Sequence, residues 1–159
     1  MLILKLLVLI TAANGTPVII KKLFDQHFDL ALDGGLNFFD GRRLFGPSKT
    51  VRGVVSAVLA TTLCAVLLEL EWYIGTLIGS AAMAGDVFSS FVKRRLNMPT
   101  SSMALGLDQV PESLFPLLAV QPMLALTAMD IAAVVVIFSV GGLFLSRILY
   151  KLNIRDRPY

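Results

Sequence analysis

Apolar runs long enough to cross a lipid bilayer recur along this chain with few charges inside them, and that repetition constrains the fold more than any other feature. Length and apolar patterning place spans at about 2–20, 51–68, 72–92, 113–128 and 131–150. The expected architecture is an all-α integral membrane protein, a bundle of about five transmembrane helices forming one domain over residues 1–159. Polar cytoplasmic loops are expected at about 21–50 and 93–112. A hydrophobic fraction of 56%, against 16% charged residues, excludes an ordinary soluble domain, which needs charged faces for water. The fourth span is the weakest, because Pro111, Pro116 and Pro122 interrupt it. A tilted or broken helix accommodates them, and so does a re-entrant segment beside four spans.

Basic residues set the expected orientation. Lys21, Lys22, Arg42, Arg43, Lys49 and Arg52 precede the second span, Lys93, Arg94 and Arg95 follow the third, and Arg147, Lys151, Arg155 and Arg157 close the chain. The intervening turns carry only Glu69, Glu71 and Asp130. This asymmetry predicts an outer N-terminus, with the C-terminus and both long loops in the cytoplasm. The net charge of +3 is thereby assigned to topology and anionic headgroups, and no nucleic-acid partner is expected. Residues 1–20 are expected to be retained, since no basic region precedes the apolar run. Cys64 stands alone, so no disulfide framework is available. Residues 22–40 suit a short surface helix ending at Gly34 and Gly35, with His27 interfacial and without a role. Trp72, Tyr73 and Tyr150 read as interfacial anchors, and Gly75 and Gly79 as close-packing positions.

Asp86 is the residue that a purely structural reading leaves unexplained. A carboxylate inside an apolar span costs about 3 kcal/mol unless it is paired, hydrated or bound to a cation. Ser89, Ser90 and Lys93 follow on the same helix face and extend a polar stripe toward the cytoplasm, with Arg94 at its border. A structural Asp86–Lys93 ion pair is the plainer alternative. Arg95 lies nearly opposite Asp86, where it would snorkel toward headgroups. Asp108 and Glu112 in the next loop complete a carboxylate site with Asp86 if the chain folds back, and such oxygen donors favour Mg²⁺. The stretch from Gly41 to Thr50 is not a Walker A loop, because Pro47 and Ser48 separate Gly46 from Lys49. Ser48 or Thr50 can instead cap the second helix, whose N-terminus with Lys49 and Arg52 attracts phosphate.

Several ordered blocks resemble the CDP-archaeol synthase family: Asn37-Phe-Phe-Asp40-Gly41-Arg-Arg-Leu-Phe-Gly46, Lys49-Thr50-Val-Arg52-Gly53 and Gly85-Asp86-Val-Phe-Ser89-Ser90-Phe-Val-Lys93-Arg94. Ala13-Asn14-Gly15-Thr-Pro17 in the first span also fits. The chain is similar, too, to the wider phosphatidate cytidylyltransferases in its Gly-Asp…Ser…Lys-Arg block. Their Gly-His-Gly-Gly stretch has no counterpart, and Asp108 to Ser113 matches their Asp-Arg-x-Asp-Ser only loosely. The resemblance implies an archaeal, Mg²⁺-dependent transfer of CMP from CTP to an isoprenoid ether-lipid phosphate, giving CDP-archaeol and pyrophosphate at the membrane surface. It implies catalytic roles for Asp86, Lys93, Arg94 and Lys49, and metal ligation by Asp86 and Asp108, with Glu112 a lesser candidate. Substrate contacts are implied for Asn14, Asp40, Arg43, Thr50, Arg52 and Ser89. The competing expectation is a small transporter or channel using the Asp86/Lys93 stripe, which the gathering of polar residues on one face and the lack of an inverted repeat disfavour. A CDP-alcohol phosphotransferase fails on pattern, since Asp40-Gly41 is followed by Arg-Arg-Leu.

Overall fold

The computed structural model describes residues 1–24, 29–100, 102, 104 and 106–151, with backbone alone at 145–150. His27, Arg155 and Arg157 lie outside the described residues, as do the side chains of Arg147 and Tyr150. Five helices follow one another: α1 (Leu2–Phe24), α2 (Val51–Leu67), α3 (Trp72–Arg95), α4 (Gln109–Leu124) and α5 (Ala128–Lys151). Among the described residues there is no strand. Two isolated bridges, Ala31 with Thr50 and Asn37 with Arg43, tie the loop between α1 and α2 to itself.

Helix ends follow from local chemistry. Thr50 caps α2, its hydroxyl accepting from the Gly53 N–H at 3.1 Å. Left-handed residues, Glu69 after α2, Asn97 after α3 and Ala125 after α4, turn the chain out of each helix. Thr127 and Asp130 form a reciprocal cap on α5: the Asp130 carboxylate accepts from the Thr127 N–H and hydroxyl, and the Asp130 N–H donates back to that hydroxyl. That cap starts α5 at Ala128, earlier than its apolar run begins.

α4 begins at Gln109, four residues before the apolar stretch and within the expected cytoplasmic loop. Pro111 causes no loss there, because first-turn N–H groups have no intrahelical acceptor. Pro116 and Pro122 lie inside the helix and each removes one backbone bond from it. α1 likewise contains Pro17, and just before it the Asn14 amide and Thr16 hydroxyl donate to the carbonyls of Ile10 and Ala12.

The core is apolar and lies away from the basic loops, filled by Leu6, Leu9 and Ile10 of α1, Ile74 and Ile78 of α3, Leu117 and Val120 of α4 and Val134 of α5. α2 meets α3 through Gly75 and Gly79, where any Cβ would collide with the backbone and side chain around Thr61. Outward positions carry large apolar side chains in continuous stripes, Val55, Leu59, Leu63 and Val66 on α2 and Val136, Ile137, Val140 and Phe144 on α5. Such stripes suit hydrocarbon, not water. α1 and α3 are each long and apolar enough to cross a membrane, while α2 and residues 128–144 form shorter apolar helices.

The surface helix expected over 22–40 is not seen: 22–24 continue α1, and the described residues 29–50 are not helical. They form a turn-rich loop in which Gly34, Gly35, Gly41 and Gly46 take positive φ, and the buried Asp33 collects the surrounding donors.

Candidate active site

A cavity of about 300 Å³ opens between α1, α2 and α3 at the end of the bundle that carries the basic loops. Pro17, Val54, Met83 and Val87 make its apolar side, and Lys21, Asp29, Lys49, Thr50, Arg52 and Asp86 its polar side. The size is at the lower end for small-ligand sites, and the mixed lining suits a ligand with one charged and one greasy part.

Lys49 and Asp86 form the centre. The Lys49 ammonium lies 2.5 Å from both Asp86 carboxylate oxygens, and each side chain is only about one-fifth exposed. Burial works against the charge on Lys49, but the adjacent Asp86 carboxylate outweighs it and holds the ammonium above its ordinary pKa. Lys49 therefore stays cationic at neutral pH.

Glu112 reaches the same point from α4. Its carboxyl lies close enough to Asp86 for the two to interact directly, and Asp108 lies within electrostatic reach of both Glu112 and Lys49. Gly85 makes this possible: a Cβ there would run into the Pro111 carbonyl and sit 2.9 Å from the Glu112 nitrogen, so only glycine lets α4 come this close. Two carboxyl groups this close need a proton or a cation to offset their repulsion. An oxygen-only pair of this kind fits Mg²⁺, which takes one or two protein carboxylates and completes its shell with phosphate and water.

The other expected site residues are distributed around this centre. Lys93 does not meet Asp86; it pairs with Asp108 at 2.7 Å and donates to the Ser102 carbonyl. The second Asp108 oxygen accepts from the Ala104 N–H, so both oxygens of that carboxylate are engaged. Ser89 is buried and donates to the carbonyls of Gly85 and Leu107, joining α3 to the chain entering α4. Arg94 grips Thr100 and the Pro99 carbonyl through its terminal nitrogens, while its Nε is buried without a partner. Arg52 lines the cavity and pairs with Asp29 at 3.6 Å. Thr50 lines it too, while capping α2. Asn14 is not among the lining residues, and its amide is used within α1.

Asp40 and Arg43 belong to the loop's framework. Arg95 does not snorkel to headgroups: it pairs with Asp40 at 2.6 Å, donates to the Arg42 and Arg43 carbonyls, and stacks against Phe38 and Phe91. Arg42 answers by donating to the Arg94 and Arg95 carbonyls at the end of α3. Arg43 pairs with Asp33 at 2.8 Å. Sequence reasoning gave no place in the site to Asp33, Asp29 or Lys21. The available signal for Asp33 was a carboxylate directly before two glycines, a pattern typical of side-chain-closed turns.

The far half of the bundle offers no comparable set of charges among the described residues, and its centre is closed by Leu6, Leu9, Ile74 and Ile78. A one-sided charged cavity, partly walled by apolar helices with lipid-suited exteriors, is the arrangement of a membrane-embedded enzyme and not of a conduit. Comparison with known proteins agrees. The family model described as CarS-like, CDP-archaeol synthase, matches residues 2–159. The CDP-archaeol synthase of Pyrobaculum calidifontis is 37% identical over 152 residues, covering 92% of this chain and 90% of the relative. That of Sulfurisphaera tokodaii is 32% identical, covering 92% and 83% respectively. A solved structure described as an intramembrane enzyme for archaeal membrane lipids biosynthesis superposes with a TM-score of 0.71 at 30% identity, covering 89% of this chain and 90% of that one. The chain belongs to the CDP-archaeol synthase family, and is a membrane cytidylyltransferase.

Proposed function

We propose that this protein transfers CMP from CTP to 2,3-bis-O-(geranylgeranyl)-sn-glycerol 1-phosphate, releasing pyrophosphate and forming the CDP-activated ether lipid. The carrying observation is the Lys49–Asp86 pair, joined by Glu112, at the polar end of a cavity whose opposite wall is apolar. One substrate is dissolved in water and the other in lipid, so they meet only at such a boundary.

A phosphate oxygen of the lipid attacks the α-phosphorus of CTP; the new P–O bond forms as the bond from that phosphorus to the β-phosphate bridging oxygen breaks, and pyrophosphate leaves. The attacking oxygen is anionic near neutral pH, so no strong general base is needed. The work falls to positioning and charge stabilisation. Lys49 and Arg52, at the capped N-terminus of α2, receive phosphate oxygens, and that helix end adds its unpaired N–H groups. Arg94 does not line the cavity and would take part only by leaving Thr100 and the Pro99 carbonyl. Asp86 and Glu112 would hold Mg²⁺, with Asp108, released from Lys93, as the further candidate. When bound, that ion supplies neutralisation of the triphosphate charge. Lys93, once its carboxylate is engaged elsewhere, is free to meet the pyrophosphate.

The clustering of basic residues at this end supports a cytoplasmic site under the positive-inside rule, with an outer N-terminus and a chain that crosses the membrane several times. The test is incubation of the purified protein with CTP, Mg²⁺ and the geranylgeranyl ether-lipid phosphate, with Asp86→Asn alongside. Equimolar CDP-lipid and pyrophosphate from the parent, lost in a folded variant, is the expected result. CTP binding without either product, across several lipid phosphates, would overturn the reading.

A further inference from the structure

The loop that carries Lys49 is held by a residue outside the cavity. Asp33 has no exposed side-chain surface. Its two carboxylate oxygens accept from four donors: the Gly35 N–H at 3.0 Å, the Arg43 guanidinium at 2.8 Å, the Phe45 N–H at 3.2 Å and the Gly46 N–H at 2.9 Å. The Gly46 carbonyl then accepts from the Lys49 N–H at 3.4 Å, and the Lys49 carbonyl accepts from the N–H of Leu32, the neighbour of Asp33, at 2.7 Å. Hydrogen bonds thus run from Asp33 through Gly46 and Lys49 back to Leu32, closing a ring. Val51 extends the anchorage by donating to Leu30 at 3.0 Å, so the backbone is fixed on both sides of Lys49.

Four charge-assisted bonds on one buried carboxylate are more than an isolated turn requires. Gly35 and Arg43 account for the turn. The bonds to Phe45 and Gly46 reach forward to the segment whose only cavity-facing charge is Lys49. We propose that Asp33 is a positioning residue for the reaction: it fixes the 45–49 segment so that Lys49 stands preformed against Asp86 before any nucleotide arrives. Preorganisation of a phosphate-binding cation lowers the cost of ordering it at binding, and its loss falls on nucleotide affinity and turnover. This inference rests on the cytidylyl-transfer reading for its kinetic consequence, but not for its structural one.

The experiment is a double-mutant cycle on the full chain in detergent, with Asp33→Asn, Lys49→Ala and the double variant. Equilibrium CTP binding and product formation are measured with hydrogen exchange of the 41–50 segment. Asparagine keeps the size of Asp33 but offers one acceptor oxygen and adds an NH₂ toward backbone donors. Asp33→Asn is expected to weaken CTP binding and kcat/KM about tenfold, and to speed exchange at 45–49 while α3 stays protected. In the Lys49→Ala background the same change should cost less than about twofold, because the side chain being positioned is gone. If Asp33→Asn does not yield a monodisperse protein, Asp33→Glu, which keeps the charge but displaces the carboxylate, is carried through the same cycle. An undiminished effect in the Lys49→Ala background, or unchanged exchange at 45–49, would overturn the proposal. A parent that forms no CDP-lipid would instead overturn the reaction, while exchange still decides the role of Asp33.

Discussion

Lys49 donates to both oxygens of Asp86 at 2.5 Å across a sequence separation of 37 residues. The pair joins a loop to the middle of a helix, so it serves as a strut and as part of the site. Lys49→Met leaves a carboxylate uncompensated, at a cost of about 3 kcal/mol, and is expected to lower kcat/KM for CTP roughly a hundredfold. Lys49→Met combined with Asp86→Asn should regain much of the thermal stability and none of the activity. Thermal melts and product assays on all three variants separate the two roles; recovery of activity in the double variant would show that neither residue takes part in the chemistry.

The contact of Glu112 with Asp86 makes a prediction about metal. Chelation should abolish product formation, and added Mg²⁺ should restore it. Glu112→Gln is expected to raise the Mg²⁺ concentration for half-maximal rate about tenfold, more than Asp108→Asn does, because Asp108 is engaged by Lys93 and the Ala104 N–H. A titration of rate against Mg²⁺ for both variants checks the order.

Gly85 lets α4 touch α3. Gly85→Ala forces the backbone of Pro111 and Glu112 away, with an expected loss of about 1–3 kcal/mol and at least tenfold in turnover. Gly141→Ala, where the added methyl meets nothing within 4 Å, serves as the control and should be close to neutral. Equal behaviour of the two variants in melts would refute the tight contact.

Asp33 gives the pH dependence a definite sign. Its hydrogen-bond donors, Gly35 and Gly46 first among them, outweigh burial and depress its pKa from 3.8 to about 2. A depressed carboxylate stabilises the folded loop fully above pH 3.8, and the contribution disappears as pH falls through about 2. The shift corresponds to about 2 kcal/mol. The difference in melting temperature between parent and Asp33→Asn should therefore be flat from neutrality to about pH 4 and shrink below it. A difference that shrinks between pH 7 and pH 5 would assign the effect to another group.

Orientation is open to labelling. In a Cys64→Ser background, a membrane-impermeant maleimide applied to intact cells should modify Glu71→Cys and spare Leu96→Cys, two exposed positions at opposite ends of α3. The reverse pattern would invert the proposed topology.

Much of this was readable from residue order because membrane helices announce themselves by length and because a charge such as Asp86 has few innocent explanations in lipid. The starts of α2 and α3 agree with their apolar runs for that reason. The start of α4 was hidden, since Gln109 and Glu112 are polar and Pro111 looks like a breaker although the first helical turn tolerates it. Partner choice within the site was also hidden. Spacing along α3 brings Lys93 near Asp86 on paper, but tertiary contacts give Asp86 to Lys49 and Glu112, and Lys93 to Asp108. Periodicity reports which residues share a face and is silent on what another segment brings to it.

At 1.5 Å per residue the 16 residues of α4 reach only about 24 Å, less than the hydrocarbon thickness of about 30 Å. If α4 crosses the membrane as the proposed topology has it, either the bilayer thins beside it or water descends to its first turn, where Glu112 stands. In both cases the aqueous boundary is lowered toward the lipid. Under the proposed reaction, a phosphate tethered to two long isoprenoid chains would then reach the carboxylates without being lifted from its leaflet, and the energetic burden of extracting those chains would not arise.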